Sequence, residues 1–208
     1  MTNSTETVTS TIFDASVLEQ QLQREDALLR GHFRLSSGLH SDTYVQCARY
    51  LRRPELAAAA TAALAAQIKA AGLRPDVVVG PAMGGVVIGY ELARQLGVPG
   101  IFTERDADGQ MTLRRGFTIE PGEKVIIAED VVTTGKSTLE VAKVLRSMGA
   151  EVLAVASLID RTGGNGGLDF PHFALLPVVA ATFAPESCSL CAAGVPVVKP
   201  GSRPEKAF

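Results

Sequence analysis

The stretch VIIAEDVVTTGKST, residues 125–138, joins a run of apolar residues, two acids and a glycine-containing turn. Four apolar residues precede Glu129 and Asp130, and Gly135 follows five residues after the second acid. Short apolar, β-branched runs are typical of strands that are buried on both faces of a parallel sheet. The stretch therefore predicts a strand, a tight turn and a helix that begins near Lys136.

The segments around this stretch repeat the same alternation of short β-branched runs and amphipathic runs. Further strands are predicted at 76–80, 98–104 and 151–160, and helices at 54–71, 84–97 and 136–149. This pattern predicts an α/β fold with a central, mainly parallel sheet flanked by helices. In such sheets ligands bind beyond the carboxyl ends of the strands, so functional residues are expected just after each strand.

The N-terminal part has a different pattern. Apolar residues at helical spacing predict a helix from Ala15 to Arg30, which Gly31 would end. Residues 31–47 alternate short apolar and polar runs around a Ser-Gly turn, which predicts a strand pair. We predict a disordered tail at 1–12 and one domain at 13–208, comprising an N-terminal subdomain (about 13–53), a core (about 54–180) and a loop-rich extension (about 181–208).

The composition gives no overall charge that would attract nucleic acid or an anionic membrane. The chain has 20 lysines and arginines against 22 acidic residues, and its formal net charge is −2. No apolar run reaches the roughly 18 to 20 residues of a membrane helix, and the N-terminus lacks the pattern of a secretory signal. We expect a cytoplasmic protein without nucleic-acid or membrane partners, in which any anion site is local.

Two glycine-containing turns are candidate anion sites. Gly80, Gly84 and Gly85 allow close approach of the backbone to a ligand at a helix start, although their spacing is not that of a dinucleotide fingerprint. The GKST segment is not a nucleotide-binding P-loop, because Asp130 stands where that motif needs glycine. Backbone N–H groups and hydroxyls in the second turn still suit a dianionic phosphate; the hydroxyls belong to Thr133, Thr134, Ser137 and Thr138.

The two acids limit what the ligand is. Glu129 and Asp130 would repel the phosphate unless they face another part of the same molecule, and carboxylates accept hydrogen bonds well from a vicinal diol. A ribose 5-phosphate has both groups, and the acids would also stabilise positive charge at its anomeric carbon. The alternative is a solvated acidic pair after an edge strand, which the apolar residues on both sides disfavour.

The motifs resemble those of the type I phosphoribosyltransferases. Residues 125–138 resemble that family's phosphoribosyl-diphosphate signature, and GPAMGG (80–85) resembles its pyrophosphate loop. Three more segments resemble the orotate phosphoribosyltransferases: GHFRLSSGLHSDTYVQ (31–46), FTERDADGQMTLRRGF (102–117) and SLIDRTGGN (157–165). Together these matches span most of the chain.

The resemblance implies transfer of the phosphoribosyl group from phosphoribosyl diphosphate to orotate in UMP biosynthesis. Mg²⁺ would bind through the substrate's diphosphate and ribose hydroxyls, with no metal held directly by protein ligands. The implied catalytic residues are Arg105, Glu129 and Asp130. The implied phosphoribosyl-diphosphate contacts are Ala82, Met83, Gly84, Gly85, Arg105, Glu129, Asp130, Val131, Val132, Thr133, Thr134, Gly135, Lys136 and Ser137. The implied orotate contacts are Ser36, Ser37, Gly38, Thr133 and Arg161, the last gripping the carboxylate.

The resemblance also implies a homodimer in which loop 104–113 closes over the neighbouring subunit's site. The chain departs from the family at several positions: many orotate enzymes have lysine where Ser36 and Gly84 stand, and their loop offers a lysine and a histidine. Here the only basic residues between Thr103 and Gly116 are arginines. Arg105 is therefore predicted to neutralise the leaving pyrophosphate, with Arg114 or Arg115 as the next candidates. A plain solvated hairpin is the alternative for this segment.

Two other functions stay open. A related enzyme acting on a purine or uracil would share both phosphate motifs but would have little use for Arg161. A phosphoribosyl-diphosphate sensor that binds nucleic acid lacks support from the overall charge, although Arg49, Arg52 and Arg53 form a local basic group.

The three histidines, His32, His40 and His172, show no metal-ligand spacing along the chain. Cys188 and Cys191 form a C-x-x-C pair, but a structural zinc site needs four ligands, which would have to converge from distant segments. We therefore interpret them as reduced thiols in a C-terminal loop, with half of a metal site shared between subunits as the alternative. Of the histidines, His40 lies closest in sequence to the predicted base pocket.

Overall fold

The structure, a computed structural model, describes residues 13–164 and 166–200; the predicted tail at 1–12 and residues 201–208 lie outside this range. In chain order the elements are α1 (Ala15–Arg24), β1 (Leu28–Arg34), β2 (His40–Val45), α2 (Cys47–Leu51), α3 (Pro54–Ala70), β3 (Val77–Pro81), α4 (Gly84–Leu96), β4 (Gly100–Arg105), β5 (Met111–Leu113), β6 (Lys124–Val132), α5 (Lys136–Ser147), β7 (Glu151–Asp160), β8 (His172–Pro177), β9 (Thr182–Phe183) and α6 (Ser189–Ala192).

A six-stranded sheet forms the centre of the fold, in the order β5-β4-β3-β6-β7-β8. Its strands pair in parallel, except β5, which pairs antiparallel with β4. Successive residues of β6 face opposite sides: Ile126 packs into the core beneath α3 and α4, whereas Ile127 packs into the core beneath α5. Because both faces are covered by helices, the strands have the continuous apolar runs seen in the sequence. The predicted fold class is confirmed.

A smaller antiparallel sheet, in the order β1-β2-β9, lies beside the central sheet. Its first strand corrects the prediction of a helix from Ala15 to Arg30, because α1 ends at Arg24 and Leu28 pairs with Val45 of β2. Asp26 adopts a left-handed backbone conformation (φ 49°) that stops the helix before Gly31. The helix was predicted too long because Leu28 fits a buried position in a strand as well as in a helix.

The C-terminal segment encloses this small sheet from both edges. β9 pairs with β2, and on the opposite edge Val198 exchanges backbone hydrogen bonds with β1, accepting from Arg34 N at 2.9 Å and donating to His32 O at 2.8 Å. Between these two attachments the chain passes through α6. Within the described residues, the helices are all too short or too polar to cross a lipid bilayer.

Candidate active site

The candidate site lies at the carboxyl edge of the central sheet. β3, β6 and β7 run parallel and end at this edge, so the segments that follow them come together. These segments are the turn at 82–85, the turn at 133–135 that leads into α5, and Arg161. The sequence-predicted groups for pyrophosphate, ribose phosphate and base therefore occupy one edge, as expected for a ligand site in an open α/β sheet.

The acidic pair stands at the end of β6 in a buried position. Glu129 is only 7% exposed, and the Thr138 hydroxyl donates to its Oε1 at 3.3 Å. The Val131 amide donates to Asp130 Oδ1 at 2.9 Å. Burial, together with the neighbouring Asp130 charge, raises the pKa of Glu129 to about 8, and burial also raises the pKa of Asp130. The alternative of a solvated pair is wrong, and a buried acid beside a half-buried one is suited to a ligand that donates hydrogen bonds or carries positive charge.

The turn after β3 packs directly against these acids. A Cβ atom on Gly84 would lie 2.5 Å from Asp130 Oδ1, and one on Gly85 would lie 2.6 Å from the Ala128 carbonyl oxygen. Any side chain at position 84 therefore has to displace the Asp130 carboxylate. This contact gives a physical reason for glycine at position 84. Ala82 is fixed by its amide, which donates to Thr103 O at 2.7 Å, and Met83 is 83% exposed.

The turn after β6 leads into the start of α5. Gly135 has a φ of 72°, and a Cβ there would lie 2.6 Å from the Gly166 carbonyl oxygen, so glycine is required on both grounds. Val131 and Val132 end β6, and Thr133, Thr134 and Lys136 are exposed beyond it. The N–H groups in the first turn of a helix lack helical partners and carry the positive end of its dipole. This turn can therefore hold a phosphate group.

Arg161 follows β7 at the same edge. Its backbone N–H donates to Val132 O at 2.8 Å, which fixes the residue beside the end of β6. Its Nε atom is buried without a hydrogen-bond partner, a condition that among the described residues only Thr103 Oγ1 shares. Burial lowers the pKa of Arg161, and the nearby Asp42 carboxylate of β2 partly offsets this effect. A buried guanidinium with a free donor is suited to a planar anion.

Two residues that the sequence did not indicate act at this edge, Asp42 of β2 and Cys47 at the start of α2. Asp42 is the carboxylate beside Arg161, and the Cys47 thiol donates to Asp130 O at 3.6 Å. Both contacts join segments that are far apart in sequence, so no local pattern indicates them. Ser36 and Ser37 lie exposed in the β1–β2 turn, which Gly38 closes by donating to Leu35 O at 2.9 Å. Their contact with a base stays a prediction.

Arg105 lies at the end of β4, at the base of the β4–β5 hairpin. Its guanidinium donates to Gly109 O at 2.7 Å and to the Glu140 carboxylate of α5. The structure therefore places Arg105 against α5 rather than against the acidic pair. Arg114 and Arg115 both pair with Glu104. The segment forms a hairpin in this arrangement, and its predicted closure over a site stays a prediction.

The chain is similar in sequence to known proteins over most of its length. Residues 47–176 match the family described as phosphoribosyl transferase domain. The orotate phosphoribosyltransferase of Carboxydothermus hydrogenoformans is 55% identical over 177 residues, covering 85% of this chain and 92% of that protein. The enzyme of the same name from Caldicellulosiruptor saccharolyticus is 50% identical over 187 residues, covering 90% and 96%. The crystal structure of orotate phosphoribosyltransferase from Aeropyrum pernix superposes with a TM-score of 0.63 at 28% identity, covering 77% of this chain and 93% of that one.

Proposed function

Because this chain belongs to the phosphoribosyltransferase family and is similar to orotate phosphoribosyltransferases over most of its length, we propose that it transfers the 5-phosphoribosyl group to orotate. The donor is phosphoribosyl diphosphate, and the products are orotidine 5′-monophosphate and pyrophosphate, as in UMP biosynthesis. The observation that carries the choice of orotate is the buried, unpartnered Nε of Arg161 at the edge that holds the acidic pair. This donor suits the carboxylate of orotate, a group that purines and uracil lack.

The three segments divide the donor substrate between them. The turn at 133–137 and the start of α5 hold the 5′-phosphate, and the backbone of the turn at 82–85 faces the pyrophosphate. Glu129 and Asp130 accept hydrogen bonds from the ribose hydroxyls between these two anionic groups. As the bond from the anomeric carbon to pyrophosphate lengthens, positive charge grows on the sugar, and the two carboxylates stabilise it. This requires both acids to be ionised with substrate bound, which the developing positive charge favours.

The acidic pair also fits the Mg²⁺ that the family resemblance implies. Hydroxyl and phosphate oxygens are ligands that this cation prefers, so it would bind through the ribose hydroxyls and the diphosphate, while Glu129 and Asp130 hold those hydroxyls without binding the ion directly. When bound, the ion would neutralise charge on the diphosphate leaving group. The chain's own contribution is to orient the ribose hydroxyls by Glu129 and Asp130.

The base is held from the other side of the sugar. The Arg161 guanidinium forms a two-pronged contact with the orotate carboxylate, and the Ser36–Gly38 turn and Thr133 orient the ring. The Asp42 carboxylate acts on the Arg161 guanidinium through its negative charge, which favours the charged form that binds the orotate carboxylate. The base is thereby directed at the anomeric carbon, opposite the departing pyrophosphate.

A spectrophotometric assay tests the proposed function. Protein, Mg²⁺, phosphoribosyl diphosphate and orotate are mixed, and the ultraviolet absorbance of orotate is followed. Orotate should disappear only when all four components are present, and removal of Mg²⁺ by a chelator should stop the reaction. Consumption of adenine, guanine or uracil, with orotate untouched, would contradict the proposal.

The alternative of a nucleic-acid-binding sensor loses its local support in the structure. Arg49 pairs with Asp26, Arg52 with Glu25 and Arg53 with Glu55, so this basic group is matched by acids. Salt-dependent binding of DNA or RNA without any orotate turnover would restore that alternative. The expectation of a cytoplasmic location stays a prediction.

A homodimer is part of the proposal. Met83, Val87 and Tyr90 are 83%, 48% and 70% exposed and follow one another at helical spacing at the start of α4. Beside them lies an apolar groove lined by Leu51, Ile101 and Phe102, among other residues. A second copy of the chain would cover this apolar stripe, and it would bring the β4–β5 hairpin of each copy close to the other's site.

Replacing Arg105 with alanine should lower kcat by about tenfold to a hundredfold, because the leaving pyrophosphate would lose one positive charge. To act in this way Arg105 must exchange its contact with Glu140 for the substrate. Arg115→Ala is the matched control on the same hairpin and should change kcat by less than about threefold. A larger loss in the Arg115 variant than in the Arg105 variant would move the assignment to Arg115.

Mixing two variants with impaired activity tests whether the hairpin acts across a dimer. Arg105→Ala and Asp130→Asn are each purified, combined, and allowed to exchange subunits. If the hairpin serves the neighbouring site, a mixed dimer has one site with both residues intact, and activity returns. No recovery, with subunit exchange verified by mass spectrometry, would show that the hairpin serves its own subunit.

A further inference from the structure

We propose that the chain binds one zinc ion at a Cys₂His₂ site formed by His32, His40, Cys188 and Cys191. One nitrogen or sulfur atom from each of these residues lies within 4.8 Å of those of the other three. The site lies away from the acidic pair and does not depend on the proposed function. It joins β1 and β2 to the C-terminal segment that encloses the small sheet.

The distances between the four atoms suit a tetrahedral zinc site. His32 Nε2 lies 2.9 Å from His40 Nδ1 and 3.5 Å from Cys188 Sγ. Cys191 Sγ lies 3.7 Å from His32 Nε2 and 3.3 Å from His40 Nδ1. Zinc bound to two nitrogens and two sulfurs holds neighbouring ligand atoms about 3.3 to 3.8 Å apart, given its usual bond lengths. The two remaining pairs, both of which involve Cys188, lie within 4.8 Å, so shifts of up to about 1 Å among the four side chains would complete this geometry.

Hydrogen bonding alone does not account for the cluster. His32 Nδ1 lies 2.8 Å from the Val195 carbonyl oxygen, so this nitrogen carries the proton and donates it there. The neutral ring then has a single lone pair on Nε2, which faces His40, Cys188 and Cys191 together. One lone pair accepts from one donor, so two of the three neighbours cannot donate to it. A metal ion at the centre would be bound by all four atoms.

The hydrogen bond from His32 Nδ1 to the Val195 carbonyl oxygen is also typical of a metal-binding histidine. Histidines that bind a metal through one ring nitrogen commonly donate the other N–H to a backbone carbonyl or a carboxylate, which fixes the ring's orientation. Val195 O plays this part for His32. Both cysteines are free, and His32, His40 and Cys188 are buried, at 3%, 7% and 3% exposure. The residues are therefore shielded from competing water except at Cys191.

The local fold explains why distant residues converge. In β1, four residues from Arg30 to Phe33 stand opposite three in β2, from Thr43 to Ser41, so β1 has one extra residue. This bulge breaks the alternation of the strand and buries His32 next to the buried Phe33. α6 places Cys188 and Cys191 on either side of its first turn, the usual arrangement for a C-x-x-C pair that shares one metal.

Binding balances in charge and protons. The two histidines bind as neutral rings, and the two cysteines each lose a proton to become thiolates, so one Zn²⁺ enters and two protons leave. The resulting site has no net charge, which suits its burial. Two thiolates and two imidazoles in a tetrahedron favour zinc over Mg²⁺ or Ca²⁺, which prefer oxygen ligands.

The site would brace the turn that the proposed function assigns to orotate. His32 and His40 flank residues 33–39, which include Ser36–Gly38, and zinc would tie both ends of this turn to α6. The four ligands fill the tetrahedron and leave no position for substrate, so the ion is structural. This consequence for orotate rests on the proposed function, whereas zinc binding itself does not.

Metal analysis of the full chain, purified with a reductant, tests the proposal. We expect about one zinc per chain, and Co²⁺ in its place should give the visible and near-ultraviolet absorption of a tetrahedral cobalt–thiolate centre. Cys191→Ser and His32→Gln should each weaken zinc binding by roughly a hundredfold or more, since one of four ligands is lost. A chain with no bound zinc and no cobalt–thiolate absorption under reducing conditions would overturn the proposal.

The sequence supplies its own matched controls, because it contains three cysteines and three histidines. Cys47 and His172 lie outside the cluster, so Cys47→Ala and His172→Gln should keep the full zinc content. Equal loss of zinc in these controls would also overturn the proposal. Should a ligand variant fail to fold, thiol labelling of the unmodified chain decides: a chelator should expose two additional reactive thiols, and an unchanged count would contradict the site.

Kinetics separate this inference from the proposed function. Removal of zinc by a chelator that is then exchanged for excess Mg²⁺, or the Cys191→Ser change, should raise KM for orotate by about threefold to tenfold while changing KM for phosphoribosyl diphosphate by less than about twofold. Zinc binding without this kinetic effect would leave the metal site intact and remove only its link to the orotate turn. Orotate turnover by a chain that binds no zinc would overturn the metal site and leave the proposed function standing.

Discussion

Replacing Arg161 with alanine should lower kcat/KM for orotate by about a hundredfold to a thousandfold, with KM for phosphoribosyl diphosphate changed by less than about threefold. We expect this loss because the Arg161 guanidinium is partly buried and its Nε donor has no hydrogen-bond partner in the protein. Removing one member of a buried charge pair costs about 2–5 kcal/mol, because the other member is left desolvated. Here the abandoned partner would be the orotate carboxylate.

Three comparisons make this result specific. Arg161→Lys keeps a positive charge but loses the two-pronged geometry, so its loss should lie between those of the unmodified chain and the alanine variant. Arg146→Ala is the control, because Arg146 is an exposed arginine paired with Asp169 and should have kcat/KM within about twofold of the unmodified chain. Steady-state kinetics with each substrate varied in turn provide the measurement.

Folding stability separates a lost contact from a damaged fold. Arg161 Nε forms no hydrogen bond with the protein, and burial disfavours its charge, so Arg161→Ala should unfold at the same temperature or a higher one. An alanine variant that turns over orotate normally while a purine is consumed would contradict the assignment of both residue and base. A variant that melts earlier and loses affinity for both substrates would show that Arg161 supports the fold instead.

The central sheet was predictable because its signals are local. Apolar runs such as 125–128 and the helical periods between them depend only on near neighbours in sequence, and they located β3, β4, β6 and β7 together with α3, α4 and α5. The edge strand β8 was not predicted. The acidic pair was equally readable, since its position after a buried strand fixes it at the carboxyl edge. Leu28 was misread because an isolated apolar residue satisfies helix and strand patterns alike.

The remaining features depend on contacts between distant segments. His32 and Cys191 are 159 positions apart, and Asp42 meets Arg161 from a different sheet, so no spacing rule predicts either meeting. The bulge that buries His32 is a property of strand pairing rather than of the β1 sequence. The Arg105–Glu140 contact likewise joins a hairpin to a helix that follows it by 35 positions. The residue types at these positions can be read from the sequence, but which residues they contact depends on the fold.

Replacing Asp130 with asparagine or Glu129 with glutamine should lower kcat by about a hundredfold to a thousandfold while making the protein more stable. Each change keeps the shape of the side chain and removes a charge that would stabilise the positive sugar, an electrostatic loss of about 2.7–4 kcal/mol. Asp169→Asn is the matched control: it alters an exposed acid paired with Arg146, and activity should stay within about twofold.

The gain in stability should depend on pH in a defined direction. The ordinary pKa of a glutamate is 4.5, and burial together with Asp130 raises that of Glu129 to about 8 in the folded chain. Below about pH 4.5 the carboxyl is protonated in both the folded and unfolded states, so Glu129→Gln changes little. As pH rises toward 8 the unfolded chain ionises while the folded chain resists, and the unmodified protein loses stability relative to the variant.

Above about pH 8 the difference should reach its full size, up to about 5 kcal/mol, or about 10–20 °C in Tm. Asp169→Asn should have the opposite sign, since the Arg146 hydrogen bond lowers the pKa of Asp169 and ionisation there favours the fold. A fall in activity together with a rise in Tm means that keeping Glu129 and Asp130 together lowers the stability of the fold. Such a loss of stability is expected where both acids bind a ligand. A Glu129→Gln protein that is less stable at pH 8 than at pH 5, relative to the unmodified chain, would instead make the carboxylate a structural group.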